Sequence, residues 1–96
     1  KVFIFGDMLE LGQDTESHHR KIGEKCKLTN LDAVYLLGEK TLFTDMELNS
    51  STTHRHYSSK NKLISSLKDS FKEGDKILIK GSRGMAMETI IQGIFS

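Results

Sequence analysis

The sequence predicts an α/β domain in which helices cover both faces of a mainly parallel β-sheet. Two strand-like runs, residues 1–5 and 32–38, are apolar almost throughout and lack the polar alternation of a half-exposed sheet, which is typical of strands buried on both faces. Segments with apolar residues at helical spacing separate the strand-like runs. These segments are about as long as the crossovers that parallel strands require. The predicted order is β-α-β-α-β-α-β-α.

The first half of the chain is expected to contain two strands and two helices. Asp14 or Thr15 can cap the helix that follows the first strand, and this helix should run to about Thr29. The second strand, 32–38, precedes a short helix over about 39–48. The apolar residues that recur at helical spacing in these two helices are Ile22, Cys26, Leu42, Phe43 and Met46.

The second half begins with a weaker run, 54–57, which is expected to form an edge strand. A third helix should start at a cap supplied by Ser58 or Ser59 and end at Gly74. Residues 75–81 form the clearest strand, and the last helix follows it directly. The residues that should face the core from these two helices are Leu63, Ile64, Leu67, Phe71, Met87, Ile90, Ile91 and Ile94. The lysines of the third helix are expected to lie in solvent on its polar side: Lys60, Lys62, Lys68 and Lys72.

The predicted fold is therefore a Rossmann-like three-layer domain, because right-handed crossovers place helices on both faces of a parallel sheet. With 96 residues, of which 36% are hydrophobic, the chain fits a single domain, 1–96, with a small core. Because the chain begins at Lys1 inside a strand, we expect it to be a piece of a larger protein.

Charge and composition exclude several classes of protein. The 14 basic and 13 acidic residues are interspersed and give a net charge of +1, without the concentrated basic face that nucleic-acid binding requires. No apolar stretch approaches the roughly 20 residues of a membrane span. Cys26 has no second cysteine for a disulfide, which is typical of a reducing compartment. We expect a soluble, intracellular protein that binds neither nucleic acid nor a membrane.

Function is expected at the carboxyl ends of the strands, where ligands bind in open parallel sheets. Four loops leave these ends, and they span residues 6–12, 38–40, 58–59 and 81–84. Three of them begin with glycine, which lets the backbone turn sharply and lets a ligand approach closely.

The loop after the last strand contains two cations. In Lys80-Gly81-Ser82-Arg83-Gly84, the two cations, the Ser82 hydroxyl and the backbone N–H groups of the expected helix start would suit a phosphate or a carboxylate. The spacing matches neither the dinucleotide fingerprint nor the Walker phosphate loop. The alternative is an ordinary turn in which Ser82 caps the helix and both cations lie in solvent.

The loop after the first strand supplies the opposite charge. Gly6 is followed by Asp7 and Glu10, which should lie at the same end of the sheet as Lys80 and Arg83 if the strands are parallel. Carboxylates facing cations would suit a zwitterion, such as an amino acid or a short peptide, or a metal-bound anion. The alternative is that Asp7 shapes the turn and Glu10 faces water. The large apolar residues of this loop indicate instead that it covers something: Met8, Leu9 and Leu11.

Other chemistries lack a supporting pattern. His54 and His56 would share one face of a strand, and His18 and His19 are adjacent on a helix, but no carboxylate or thiol stands at a ligand spacing beside them. The sequence contains no GxSxG nucleophile motif, and Cys26 falls on the helix stripe where a small core residue belongs. We therefore predict no metal site and assign no catalytic residue within this chain.

Several motifs together resemble the C-terminal domain of the Mur ligases of bacterial peptidoglycan synthesis. They are GDMLELG at 6–12, His19-Arg20 and Ile22-Gly23 on the first helix, Leu37-Gly38-Glu39 at a strand end, and DKILIKGSRGMAME at 75–88. The resemblance runs from about residue 2 to residue 95. It is strongest to the members of the family that join D-alanyl-D-alanine to UDP-N-acetylmuramoyl-tripeptide.

This resemblance implies an ATP- and Mg²⁺-dependent ligase of the bacterial cytoplasm, and we expect the protein to be a monomer. In that family ATP phosphorylates the carboxylate of the tripeptide, the amine of D-alanyl-D-alanine attacks the acyl phosphate, and the C-terminal domain closes over a central ATPase domain. This chain contains no Gly-Lys-Thr phosphate loop and no UDP-sugar domain. ATP and Mg²⁺ would therefore be bound mainly by the central domain, and the fragment alone should be inactive.

The pattern and the resemblance together suggest roles for the loops at the strand ends. The residues expected to bind substrate are Lys80, Gly81, Ser82, Arg83 and Glu39. The residues expected to face the ammonium group or the nucleotide are Gly6, Asp7 and Glu10. The apolar residues of the first loop would shelter the cleft or pack under the neighbouring domain. A non-catalytic module that binds a small ligand or a protein is the first alternative, and a receiver-like regulatory domain, which would need a second Asp at a strand end, is the weaker one.

Overall fold

The computed structural model describes residues 1–9, 11–50, 52–70 and 74–95 and confirms the predicted order of elements. The strands are β1 (Val2–Gly6), β2 (Ala33–Leu37), β3 (His54–Tyr57) and β4 (Ile77–Lys80). The helices are α1 (Thr15–Leu28), α2 (Leu42–Glu47), α3 (Lys60–Ser70) and α4 (Glu88–Ile94). Single 3₁₀ turns precede α1 at Gly12–Asp14 and α4 at Arg83–Met85.

The four strands form one sheet in the order β3-β2-β1-β4, and every neighbouring pair is parallel. β1 is central, with Ile4 paired to Tyr35 of β2 and to Ile79 of β4. The prediction that residues 54–57 form an edge strand is confirmed. Because all strands run the same way, their carboxyl ends lie along one edge of the sheet. We call this edge the rim; its loops follow Gly6, Leu37, Tyr57 and Lys80.

Apolar side chains of the central strands alternate between two cores, one on each face of the sheet. Ile4 of β1 faces the core under α3 and α4, whereas Phe5 faces the core under α1 and α2. The first core contains Ile4, Tyr35, Leu37, Leu63, Leu67, Met87 and Ile90. The second core contains Phe5, Ile22, Cys26, Val34, Leu36 and Leu48. Both side-chain rows of β1 and β2 are thus buried, which explains why these runs are apolar throughout.

β4 is buried on one face only. Ile77 and Ile79 pack against the core under α3 and α4, but Leu78, on the opposite face, is 56% exposed. An apolar groove of about 230 Å³ opens on that face between the sheet and α1, and Phe3 and Leu78 are among the residues that line it. The strand that the sequence marks most clearly therefore has an open face.

Two helix boundaries differ from the sequence-based expectation. α2 begins at Leu42, because residues 38–41 form the turn that leaves β2. α4 begins at Glu88 and not directly after Ser82, because the 3₁₀ turn Arg83–Met85 and Ala86, with φ +46°, intervene. Ser82 therefore precedes the 3₁₀ turn without a capping hydrogen bond from its side chain, and it does not cap α4. The predicted positions of Phe71 and Lys72 lie outside the described residues.

The helices α1 and α2 pack closely together. A Cβ at Gly23 of α1 would lie only 2.7 Å from the Thr44 carbonyl oxygen, so glycine permits the approach. The Thr44 hydroxyl donates to the His19 carbonyl at 2.7 Å, and Arg20 pairs with Glu47 at 3.1 Å. These contacts fix the position of His19 relative to the rim. Among the described residues, no helix combines the length and the apolar character needed to cross a membrane.

Candidate functional site

The first and last loops of the rim contact each other directly. The Ser82 N–H donates to the Asp7 carbonyl at 3.2 Å, and the Leu9 N–H donates to Ser82 Oγ. Leu9 also packs on Gly84, where a Cβ would lie 2.9 Å from Leu9 Cδ1. The expectation that these loops lie together at one end of the sheet is confirmed.

A cleft of about 320 Å³ lies at this junction and is lined by Leu9, Ser82, Arg83 and Gly84. Arg83 is exposed, so its guanidinium is available to a ligand. Ser82 Oγ accepts from Leu9 and keeps its hydroxyl proton for a second partner. A guanidinium beside a hydroxyl donor suits a carboxylate or phosphate oxygen, because the guanidinium can form two parallel charge-assisted hydrogen bonds.

Lys80 lines a different depression. Its side chain borders the apolar groove beside α1, together with Phe3 and Cys26. Burial is the largest cause that lowers the pKa of His18, and the charge of Lys80 is the second. The two cations that were predicted to act together, Lys80 and Arg83, thus border separate depressions in the structure.

Asp7 is a buried carboxylate and is not exposed to the cleft. The residue is 6% exposed, and its Oδ1 accepts the Thr41 N–H at 3.0 Å. Gly38, with φ +111°, lies against it, since a Cβ there would come within 2.5 Å of both carboxylate oxygens. This geometry favours the alternative in which Asp7 shapes the turn, and it joins the first loop to the β2–α2 loop. Glu39 is exposed on that second loop, whereas Glu10 lies outside the described residues.

The glycines at the ends of β1 and β4 make room for a protein side chain. A Cβ at Gly6 would lie 2.5 Å from Met87 Sδ, and a Cβ at Gly81 would lie 2.6 Å from Met87 Cγ. Met87 is 5% exposed and belongs to the core under α3 and α4. The space that the sequence suggested for a ligand is filled here by Met87.

His19 supports the first rim loop through a hydrogen bond that the sequence analysis did not predict. Its fully buried ring accepts the Met8 N–H at Nε2 (3.0 Å), and Nδ1 lies 2.6 Å from the Thr15 carbonyl, so the ring proton resides on Nδ1. The Met8 side chain packs against the core under α1 and α2. It therefore contributes to the packing of this domain. The available signal was spacing, because His19 lies on the same helix stripe as Ile22 and Cys26.

Lys60 contradicts the expectation that the lysines of α3 lie in solvent. Its Nζ donates to the carbonyls of Met85 and Ala86 and to Thr89 Oγ1. Lys62 and Lys68 of the same helix are exposed, as predicted, and Lys72 lies outside the described residues.

The two histidines of β3 have partners within the chain. His54 Nδ1 lies 2.8 Å from Asp45 Oδ1, and His56 Nε2 lies 2.7 Å from the Gly38 carbonyl. Both contacts connect β3 to the segment that follows β2.

The sequence of this chain is similar to a known family profile and to several known proteins. The sequence profile described as "Mur ligase, glutamate ligase domain" matches residues 1–83. The UDP-N-acetylmuramoyl-tripeptide--D-alanyl-D-alanine ligases of Bacillus subtilis (strain 168) and Escherichia coli (strain K12) are 34% identical over 97 residues and 33% identical over 96 residues. Each match covers 98% of this chain and 21% of the relative. The chain thus spans about a fifth of the length of these relatives.

Solved structures share the fold. MurF from Acinetobacter baumannii superposes with a TM-score of 0.83 at 22% identity, covering 98% of this chain and 21% of that chain. MurF from Thermotoga maritima in complex with ADP gives a TM-score of 0.75 at 24% identity, covering 97% of this chain and 21% of that chain. The predicted Rossmann-like α/β fold is confirmed. Because the profile covers most of the chain and relatives above 30% identity cover nearly all of it, the chain belongs to the Mur ligase family.

Proposed function

We propose that this chain is the C-terminal, substrate-presenting domain of a cytoplasmic bacterial ligase that joins D-alanyl-D-alanine to UDP-N-acetylmuramoyl-tripeptide through an acyl phosphate. The observation that carries the proposal is that ligases named for this pair of substrates align with nearly the whole chain, at up to 34% identity over 98% of its length. The chemistry itself belongs to the complete ligase, of which this domain corresponds to about a fifth.

In this proposal the cleft at the loop junction binds the carboxylate of the dipeptide. Arg83 offers paired N–H donors and Ser82 offers its hydroxyl, so up to three hydrogen bonds can converge on one carboxylate. Leu9 and Gly84 form an apolar wall that suits the methyl groups of alanine. Held in this way, the dipeptide amine approaches the acyl phosphate in a fixed geometry, and such positioning can be worth an effective concentration of about 10⁵ M or more.

Glu39 is our candidate for orienting the ammonium group of the dipeptide, because it is exposed on the neighbouring rim loop, whereas Asp7 is buried. Glu10 keeps its predicted role as a second candidate, and Gly6 and Gly81 allow the two loops to pack around Met87. Lys80 contributes positive charge from the adjacent groove and should matter less than Arg83.

ATP supplies the phosphate in this proposal, and the ADP in the Thermotoga maritima relative supports a nucleotide site in the family. Among the described residues, no three His, Cys, Asp or Glu side chains come together as a metal-binding group. Because this chain contains no Gly-Lys-Thr phosphate loop, we assign ATP and Mg²⁺ mainly to the remainder of the ligase, and we assign dipeptide binding and closure of the active site to this domain.

The test is Arg83→Ala in the complete ligase. Loss of a charge-assisted hydrogen-bonded pair costs about 1.5–3 kcal/mol, which corresponds to a rise of about 10- to 100-fold in the KM for D-alanyl-D-alanine, with the KM for ATP unchanged. Arg55→Ala is the matched control, because Arg55 is exposed on the edge strand β3. An unchanged dipeptide KM in Arg83→Ala would remove Arg83 from the site.

A further inference from the structure

We propose that Lys60 is a positioning residue for the candidate site, whose ammonium group holds the segment after Arg83 in the shape that presents Ser82 and Arg83 to a ligand. The identity of that ligand rests on the proposed function, whereas the contacts that support a positioning role do not.

Each N–H donor of the Lys60 ammonium group can be matched to an acceptor within the protein. It lies 2.7 Å from the Met85 carbonyl, 3.2 Å from the Ala86 carbonyl and 3.0 Å from Thr89 Oγ1. An ammonium has three N–H donors and no acceptor, so these three oxygens satisfy it completely. Lys60 is therefore not placed to bind a substrate directly, and its charge acts on the backbone of the last rim loop.

That backbone requires support, because Ala86 adopts a left-handed conformation. Its φ and ψ are +46° and +51°, a region that L-residues with a Cβ avoid. The Ala86 N–H donates to the Arg83 carbonyl at 3.0 Å, and the Met85 N–H donates to the Ser82 carbonyl at 2.9 Å. The two residues whose carbonyls Lys60 binds are thus the residues that close the turn containing Ser82 and Arg83.

The position of Lys60 in α3 is consistent with this role. It is the first residue of the helix, where the positive end of the helix dipole disfavours a cation. Three oxygens from another segment offset that disadvantage. Because α3 begins at the end of the short loop after β3, Lys60 also connects that rim loop to the loop after β4. The Met85 carbonyl that it contacts lies 25 residues away in the sequence.

The experiment compares Lys60→Met with Lys62→Met in the complete ligase. Methionine keeps the unbranched stem of Lys60 and removes the ammonium, and Lys62 is an exposed control on the same helix. In Lys60→Met we expect the KM for D-alanyl-D-alanine to rise by about 10-fold, because the cleft residues are misplaced. The KM for ATP should not change. The amides of Ala86 and Thr89 should exchange their hydrogens faster, and Lys62→Met should show neither effect.

Measuring Lys60→Met in the Ala86→Gly background separates a positioning effect on the cleft from a general loss of stability. Ala86→Gly removes the conformational penalty at that residue, so Lys60→Met should raise the dipeptide KM less in Ala86→Gly than in the parent ligase. If Lys60→Met does not fold, Lys60→Arg serves instead. Arg keeps the charge, but its planar donors do not match the three acceptors, so the dipeptide KM should again rise.

The outcomes distinguish the two proposals. A raised dipeptide KM in Arg83→Ala with an unchanged KM in both Lys60 variants would overturn the role of Lys60 and leave the proposed function intact. An unchanged KM in Arg83→Ala would overturn the dipeptide site, whereas faster exchange at Ala86 in Lys60→Met would still support the positioning role. If Lys60→Met raised the dipeptide KM equally with and without Ala86→Gly, the positioning role of Lys60 would also be overturned.

Discussion

Gly38→Ala tests the junction between the first rim loop and the β2–α2 loop. Gly38 has φ +111°, and a Cβ there would lie 2.5 Å from both carboxylate oxygens of Asp7. Alanine at this position would therefore meet backbone strain and a collision together. Gly12 offers a matched control, because its φ is +57° and a Cβ there would meet nothing within 4 Å. The pair of variants separates the two penalties.

The expected magnitudes follow from these contacts. Backbone strain alone costs about 1–2 kcal/mol for an L-residue in the left-handed region, and this is all that Gly12→Ala should lose. In Gly38→Ala the displaced carboxylate of Asp7 also leaves the Thr41 N–H, now bonded at 3.0 Å, without its acceptor. A buried donor without a partner costs about 1–3 kcal/mol, so the total for Gly38→Ala is about 2–5 kcal/mol. That is a large share of the roughly 5–15 kcal/mol by which domains are stable.

The assay is urea unfolding and thermal unfolding of the 96-residue chain and its two variants. At about 4–8 °C per kcal/mol for a domain of this size, Gly38→Ala should lower the Tm by about 10 °C or more, and Gly12→Ala should lower it by clearly less. Faster hydrogen exchange at the Thr41 amide should accompany the first change only. If both variants lost the same stability, the contact between Gly38 and Asp7 would contribute nothing beyond backbone strain.

Two further changes test the groups on α1. His19→Leu removes the acceptor of the Met8 N–H and should cost about 1–3 kcal/mol, with faster hydrogen exchange at the Met8 amide; unchanged protection of that amide would contradict the role of His19. Burial, followed by the charge of Lys80, lowers the pKa of His18, so the unfolded chain binds a proton more readily, and the free energy of unfolding should decrease as the pH falls below about 6.5. His18→Gln should therefore lose less stability than the parent chain between about pH 7.5 and pH 5.5 in urea titrations, and identical pH profiles would refute this cause.

The strands and helices could be predicted because apolar periodicity reports burial directly. The unbroken apolar runs of β1 and β2 indicated strands covered on both faces, and the weaker run 54–57 indicated an edge. Parallel strands place their carboxyl ends along one edge, so the fold class predicted that Asp7 and Ser82 lie at the same end of the sheet. Their direct contact depends on β1 and β4 being neighbours, which the sequence did not predict.

The direction of individual polar side chains could not be predicted, because their partners are distant in sequence. Asp7 reaches an N–H donor 34 residues away, and Lys60 reaches carbonyls 25 and 26 residues away. A lysine on a helix surface has the same local pattern whether it meets solvent or backbone oxygens. The delayed start of α4 was missed for a similar reason, since the left-handed Ala86 that precedes it contacts Lys60, 26 residues away, and has no local sequence signal.

The central position of β1 has a consequence for how the domain folds. Val2 pairs with Ala33 on one side and with Ile77 on the other, so the second pairing closes a loop that contains β2, β3 and the first three helices. Closing a long loop is entropically costly, and non-local pairings of this kind slow folding. During synthesis on the ribosome, β1 emerges before β4 and cannot gain its second neighbour until β4 has followed. Until β4 docks, one edge of β1 stays open to pairing with the wrong strand. The risk of aggregation is therefore greatest in this interval, and faster docking of β4 shortens it.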